Sequence, residues 1–451
     1  MDASSTPTTD KNIDLVTLGR NSIFALGLLI SGTALTYLIQ VLFARWMGKT
    51  EYGMYEYAMT FALLLAIPTS LGFPNAVVRL VNEYRVKREW SLLRGLLATS
   101  WLLTIGMGLG ICLAGTAIVI CLDRDYLLPY IAILSVGIWL IPLQALVQLQ
   151  EDMARGFDSI SLAYIPTKIF WPLLLLAGGF LLWRDRSSLT GISAISIALG
   201  TLLAIVSLQA GLLWFKFNRT IPPETSVYIP WTWLKVALPL LLYRGFREML
   251  AQTDILMLGS LIDAASVGLY SAAAKTSLWI NIILKAFVFV VAPTFTILHL
   301  QGDRLAFQNL VSRVTFWMFA VSFLVGTIFI FFSQSLLGLF GSEFPSVSPT
   351  LKVLTLGQLF DAACGCVGNI LAMTGYQNHL MKVSGYTALI NLGLNAILIP
   401  FWGLLGASFS TTLSLIIWNI WLTIVVIRNL QINPTIFPDW ILFFDKSHSS
   451  I

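Results

Sequence analysis

The chain has 451 residues, of which 57% are hydrophobic and only 11% charged, with a net charge of +5. A water-facing surface carries about 25% charged residues, so a soluble globule is excluded and lipid is the solvent that remains. The basic residues lie in short clusters between apolar runs, not on the basic face of a polar module, which excludes nucleic-acid binding.

Residues 1–20 are polar, and the apolar stretch after them is too long for the h-region of a cleaved signal. A spanning helix needs about 20 mainly apolar residues. Runs of that kind are predicted over 23–43, 52–71, 95–122, 127–149, 160–183, 189–215, 234–262, 266–298, 310–333, 349–373, 380–400 and 403–427. The expected fold is therefore an all-α integral membrane protein of about twelve transmembrane helices. Pro68, Pro142, Pro172, Pro239 and Pro293 mark places for kinks. Gly106-x-x-x-Gly110 would allow one close helix contact. With the N-terminus inside, 16 Lys and Arg fall on inner segments and 5 on outer ones, and the other 6 of the 27 lie in or at the edge of spans. The positive-inside rule then puts both termini in the cytoplasm.

The chain also repeats. Gly53 and Tyr55, after the first predicted span, match Gly268 and Tyr270, after the seventh, at an offset of 215. The same offset aligns Gly191-Ile192-Ser193 with Gly406-Ala407-Ser408. Six spans per repeat is an even number, so the halves are expected as parallel repeats around a central cavity. The expected division is a six-helix lobe over 1–216, a polar, proline-bearing cytoplasmic linker over 217–230, a second six-helix lobe over 231–428 and a cytoplasmic tail over 429–451.

No metal or cofactor is expected. Cys112, Cys121, Cys364 and Cys366 lie in or beside apolar runs and read as packing residues. His299, His379 and His448 are too scattered for a site. Asp123-Arg124-Asp125 has the spelling of a sugar-nucleotide metal motif, but at an external turn it reads as solvated.

Beyond the first four residues of each span, nine ionisable residues fall inside the predicted spans: Glu56, Lys168, Arg244, Arg247, Glu248, Asp254, Lys275, Lys285 and Asp361. Each would cost about 2.5–3.5 kcal/mol unpaired at a bilayer centre, so each must pair, snorkel or face water. At about 100° per residue, Arg244, Arg247, Glu248 and Asp254 share one face of the seventh span. Ser271, Lys275, Asn281 and Lys285 share a face of the next. Two successive polar faces predict a hydrated cavity with surplus positive charge. Arg244–Glu248 and Arg247–Asp254 are candidate internal pairs, which leaves Lys275 and Lys285 without a carboxylate on the seventh span. Lys168 lies near a helix end where it can snorkel, Glu56 is expected at the interface, and Asp361 is expected as a buried or working carboxylate.

The run Phe43 to Tyr57 resembles the start of polysaccharide (O-antigen type) flippases of the multidrug/oligosaccharidyl-lipid/polysaccharide exporter superfamily. So do Leu71-Gly72-Phe73-Pro74-Asn75-Ala76-Val77-Val78-Arg79, Thr253 to Gly259, Leu339 to Phe344 and Gly375-Tyr376-Gln377. The resemblance extends over nearly the whole chain. It implies two six-helix lobes with alternating access, and a cargo of oligosaccharide joined through pyrophosphate to a polyprenyl lipid in a bacterial inner membrane. A polysaccharide polymerase or glycosyltransferases of the same pathway are implied partners. On this reading Arg244, Arg247, Lys275, Lys285, Arg79 and Lys168 hold the anionic cargo, while Asp254, Glu248 and Asp361 couple transport to a cation or proton. The rival within the superfamily is a cation- or proton-coupled drug antiporter, which would want surplus carboxylates. Five cations against four acids in the spans favour the anionic cargo. A membrane enzyme is disfavoured, because no long external loop or nucleophile motif is present.

Overall fold

The computed structural model describes residues 15–121, 124–186 and 189–436. Lys11, Asp123, Lys446, His448 and the tail from residue 437 lie outside the described residues, as do the side chains of Arg20, Cys121, Arg124, Asp125, Arg186 and Pro293.

Sixteen α-helices follow one another, with no strand among the described residues. They are α1 (Leu15–Thr69), α2 (Phe73–Lys87), α3 (Trp90–Cys121), α4 (Arg124–Gly137), α5 (Leu140–Gly156), α6 (Ile160–Ile165), α7 (Trp171–Arg186) and α8 (Gly191–Thr220). After an extended segment come α9 (Pro230–Leu261), α10 (Ala264–Ser277), α11 (Trp279–Gln301), α12 (Arg304–Phe331), α13 (Ser333–Gly338), α14 (Ser348–Cys364), α15 (Val367–Met373) and α16 (Gln377–Leu430).

Local chemistry sets the joints. Asp263 accepts from Ser266 N at 2.7 Å to open α10, and Asp303 accepts from Ala306 N at 2.9 Å to open α12. The long helices α1 and α16 break at Gly48 (φ 74°) and Gly403 (φ 55°), in the left-handed region that glycine tolerates. Pro68 and Pro239 sit inside helices, whereas the strongest breaks fall on glycine. Pro166 begins a π-helical turn, Pro166–Phe170, between α6 and α7. The basic linker at 72–94 is itself structured: α2 runs through it as a separate amphipathic helix whose apolar side is buried.

Among the described residues, eight helices are long and apolar enough to cross a membrane, or nine if the bent pair Phe344–Cys364 and Val367–Met373, at 44°, is one span. The chain is thus a multi-pass membrane protein. The difference from the twelve predicted segments lies in three places. The doubled helices α1 and α16 each count once, although a helix of 54 or 55 residues runs about 80 Å against a hydrocarbon core of about 30 Å. The third is α9, where every 18-residue stretch holds at least three charges.

The core is fused at one end and split at the other. A single apolar cluster unites Phe43, Tyr52, Tyr55 and Ala194 from the first half with Leu258, Val267, Tyr270, Phe340 and Leu351 from the second. At the opposite end, which carries Arg79, Arg85, Lys216, Arg304 and Arg428, the apolar residues form separate clusters. One gathers Phe73, Leu93, Met153 and Trp233; another gathers Phe295, Phe307, Leu380 and Val426.

The fused end is sealed by backbone on backbone. A Cβ on Gly53 would lie 1.7 Å from the Ala264 carbonyl oxygen, and one on Gly268 would lie 2.1 Å from that of Lys49. These are the two glycines matched by the 215-residue offset, and they face each other between α1 and α10. Lys49 pairs with Glu343 at 2.8 Å across the same seam, and the Arg45 guanidinium donates to the Leu339 carbonyl. Replacing Gly53 or Gly268 with alanine therefore forces the backbones apart. An overpacking cost of about 1–3 kcal/mol would shift a closed–open equilibrium by roughly fivefold to a hundredfold or more. A cysteine placed at buried Val267, with the native cysteines replaced, should then react that much faster with a maleimide. An unchanged labelling rate would show that this seam does not open.

Candidate functional site

The fused end forms the floor of a cleft, and the cleft is lined by ionisable side chains from both halves. On the first half, α5 supplies Glu151, Asp152 and Arg155, and the π-helical turn supplies Thr167 and Lys168. The widened turn lets two consecutive side chains reach one carboxylate: Thr167 Oγ1 donates to Glu151 Oε1 at 2.5 Å, and Lys168 Nζ pairs with the same oxygen at 3.1 Å. Lys168 is thus a paired cation, where the sequence suggested snorkelling. Arg155 pairs with buried Asp152 at 2.7 Å, and Arg244 of α9 lies near enough to Asp152 to feel its charge.

On the second half, the candidate internal pairs of α9 do not form. Arg244, Arg247 and Lys285 make no ion pair within 4 Å with any described residue. Arg247 lies beside Tyr243, Glu248 and Asp361, and Lys285 lies within electrostatic reach of Arg247, Glu248 and Lys168. Arg247 and Lys285 are exposed.

Asp254, a candidate partner of Arg247, is instead 3% exposed and held by neutral donors. Tyr270 donates to its Oδ2, Thr411 donates to the same oxygen at 3.0 Å, and the Ile255 amide donates to Oδ1 at 3.1 Å. The reason is depth: Asp254 lies on nearly the same side of α9 as Arg247 but about 10 Å farther along it, where Tyr270 of α10 and Thr411 of α16 cover that side. Asp361 is also buried, accepting from Asn419 at 2.8 Å and Asn281 at 3.4 Å.

Glu56 and Lys275 overturn two expectations at once. Glu56 is 4% exposed, not interfacial, and it pairs with Lys275 at 2.5 Å across the two halves. Lys275 therefore has a carboxylate, supplied by α1 and not by the seventh span. Arg79 lies exposed on α2, apart from the cleft lining. Sequence reasoning missed Glu151, Asp152, Thr411 and Asn419, and it read Tyr270 only as part of the repeat. Glu151-Asp152 is visible as an acidic pair just beyond the fourth predicted span; the neutral partners carry no signal. Cys112, Cys364 and Cys366 are buried, in keeping with packing residues.

Residues 18–299 match the sequence profile of the family described as Polysaccharide biosynthesis protein. The chain belongs to that family. Among curated proteins it is 23% identical over 406 residues to the probable low-salt glycan biosynthesis flippase Agl15 of Haloferax volcanii, covering 88% of this chain and 81% of that one. The fold is that of the MOP-superfamily transporters. An inward-facing multidrug resistance MATE transporter superposes with a TM-score of 0.72 at 12% identity, covering 88% of this chain and 95% of its own. The lipid II flippase MurJ, in its inward closed conformation, superposes with a TM-score of 0.69 at 16% identity, covering 95% and 93%.

The buried cross-half pair gives a direct test. Glu56→Gln should lower stability by about 3–5 kcal/mol, because it leaves Lys275 without a counter-charge. Adding Lys275→Met should restore most of the loss. Thermal melts in detergent that show additive losses for the double variant would mean that the pair is not coupled.

Proposed function

We propose that this protein flips an oligosaccharide joined through pyrophosphate to a polyprenyl lipid across the cell membrane, by alternating access of the two halves. The single observation that carries this reading is the imbalance of accessible charge in the cleft. Lys168, Arg155 and Lys275 are neutralised by Glu151, Asp152 and Glu56, and Asp254 and Asp361 are buried in hydrogen bonds. That leaves Arg244, Arg247 and Lys285 facing Glu248 alone, which favours an anion and disfavours the organic cations of a drug antiporter. Arginine can grip phosphate oxygens with paired donors, whereas lysine acts as a mobile point charge. A water-filled cleft holding such cations offsets the desolvation of a pyrophosphate on its way through a low-dielectric slab.

The split end would be cytoplasmic by the positive-inside rule, so the cargo would be loaded there. Arg79, exposed on α2 at that end, would help attract the lipid-linked anion. Glycosyltransferases would supply the substrate, and a polymerase or ligase on the far side would consume it. Asp254 would serve ion or proton coupling, assisted by Glu248 and Asp361. A buried carboxylate with only neutral donors can take up a proton or cation and re-form its bonds when it leaves.

Arg247→Gln combined with Lys285→Gln should cut flipping severely, with lipid-linked oligosaccharide accumulating on the cytoplasmic leaflet, while each single change only slows it. Leaflet-resolved assays at matched membrane abundance decide this; undiminished flipping by the double variant would remove the anionic-cleft mechanism. Asp254→Asn should slow transport without lowering abundance and blunt its dependence on ion gradients. A normal rate with normal gradient dependence would make Asp254 structural only.

A further inference from the structure

We propose that residues 431–436 are a plug: they turn back from the end of α16 and close the second half at its split end, so that Asp361 exchanges a proton or cation only with the cleft. This rests on the reading of Asp361 as a coupling carboxylate.

A chain leaving the last helix of a bundle has water before it and no need to return. Here it returns. Gln431 takes a left-handed backbone (φ 52°), which a residue with a side chain adopts at a cost, and the chain reverses. Arg304, Gln308 and Thr315, which share about 40° of arc on α12, then bind it in order. Arg304 Nη1 donates to Gln431 Oε1 at 2.8 Å. Gln308 pairs reciprocally with the Asn433 backbone, accepting from its N–H at 2.7 Å and donating to its carbonyl at 2.9 Å. Thr315, about three turns into α12, donates to the Pro434 carbonyl at 2.9 Å. Residues 432–435 are all buried, and Ile432 joins the apolar cluster of Phe307, Val311 and Val367. Irregular backbone at membrane depth persists only where protein buries it or where it lines a water-filled cavity.

The far end of the plug meets a break in the helix that carries Asp361. Gly365, at φ 77°, ends α14, and the Ile436 N–H donates to the Ala363 carbonyl there at 3.1 Å. A Cβ on Gly365 would lie 2.5 Å from the Pro434 carbonyl oxygen, so the glycine makes room for the plug. Asp361 stands one turn farther in, with Arg247 on its cleft side. The plug therefore covers the turn that separates Asp361 from the split end.

The first half supplies the contrast. The segment after its last helix, α8, also docks on a helix that starts at the split end, but only at the surface. Arg94 donates to the carbonyls of Pro222 and Ile221 at 3.0 and 3.3 Å, and the Val227 N–H donates to that of Ser91 at 3.1 Å. Both holding residues lie in the first turns of α3. Deep insertion belongs to the half that buries Asp361. A carboxylate that takes up an ion must not open to both sides of the membrane at once, because two paths make a leak. The plug removes one of them.

The test uses the full-length protein with Cys112 and Cys121 replaced by alanine, which leaves Cys364 and Cys366 buried behind the plug. Gln308→Leu combined with Thr315→Val removes three of the hydrogen bonds that hold the plug, and buried backbone groups that lose a partner gain by moving into water. In inverted membrane vesicles this variant should react with a membrane-impermeant maleimide at least tenfold faster than its parent. In proteoliposomes without cargo, trapped dyes for pH and sodium should show a leak at least threefold above the parent, and adding Asp361→Asn should remove it. An unchanged labelling rate overturns the plug. Should the double variant fail to fold, each single change and Gly365→Ala carry the comparison, and parent-like labelling in all three overturns it equally. Faster labelling with no leak, or with a leak that survives Asp361→Asn, upholds the cover and overturns the coupling role of Asp361 instead.

Discussion

A charge inside a hydrocarbon slab has three stable outcomes: an opposite charge, a full set of hydrogen bonds, or water. The ionisable side chains within these helices sort cleanly among them. Glu56 with Lys275 and Glu151 with Lys168 take the first, Asp254 and Asp361 take the second, and Arg247 and Lys285 take the third. The third group dictates the architecture. The helices that carry it cannot be covered along that face, so the two halves cannot pack together over their full length. They fuse where the residues are apolar or glycine and diverge where the charges need water.

The fused end achieves closeness without bulk. At Gly53 and Gly268 the backbones come nearer than any side chain would allow, and the ionic contact of Lys49 with Glu343 lies partly exposed beside them. Exposed ion pairs contribute little, typically under about 1 kcal/mol. A seam made of backbone contact, small residues and a weak ion pair can hold one state without forbidding the other.

Much of this was legible in the sequence, because bilayer thickness writes itself into run length and the cost of charge makes each intramembrane Arg or Lys conspicuous. The positions of the helices, the charged face of α9 and the matched glycines could all be read in that way. Side-chain pairing could not. The i, i+4 spacing of Arg244 and Glu248 suggested a pair that does not form, because a cleft offers water as the cheaper partner. Lys275 looked unpaired because its carboxylate stands 219 residues away, on a helix that periodicity cannot place beside it. Asp254 was a candidate partner for arginine, but it lies two turns beyond Arg247 on the same side of the helix, at a depth where neighbouring helices have replaced the cleft. Tyr270, Thr411, Asn281 and Asn419 are ordinary polar residues until the fold sets them against a carboxylate.

The attachment of α9 alters where the molecule is mechanically divided. Its first turns are bound to the first half: the Trp233 indole donates to Tyr84 at 2.9 Å, and the backbones at Gly95 and Gly72 abut those of Val227 and Ala237. Beyond Pro239 the same helix belongs to the second half, with Phe246 against Gly385 and Asp254 against Thr411. Pro239 lies between these anchors and removes one hydrogen bond from the helical ladder. The extended stretch before α9 joins the halves covalently, but it would travel as cargo of the first half. Any rocking of one half on the other must be absorbed as flexure of α9 itself, in the few residues between Ala237 and the arginines. The helix that carries the cations is then also the spring, so tilting the halves and re-aiming Arg244 and Arg247 become one motion.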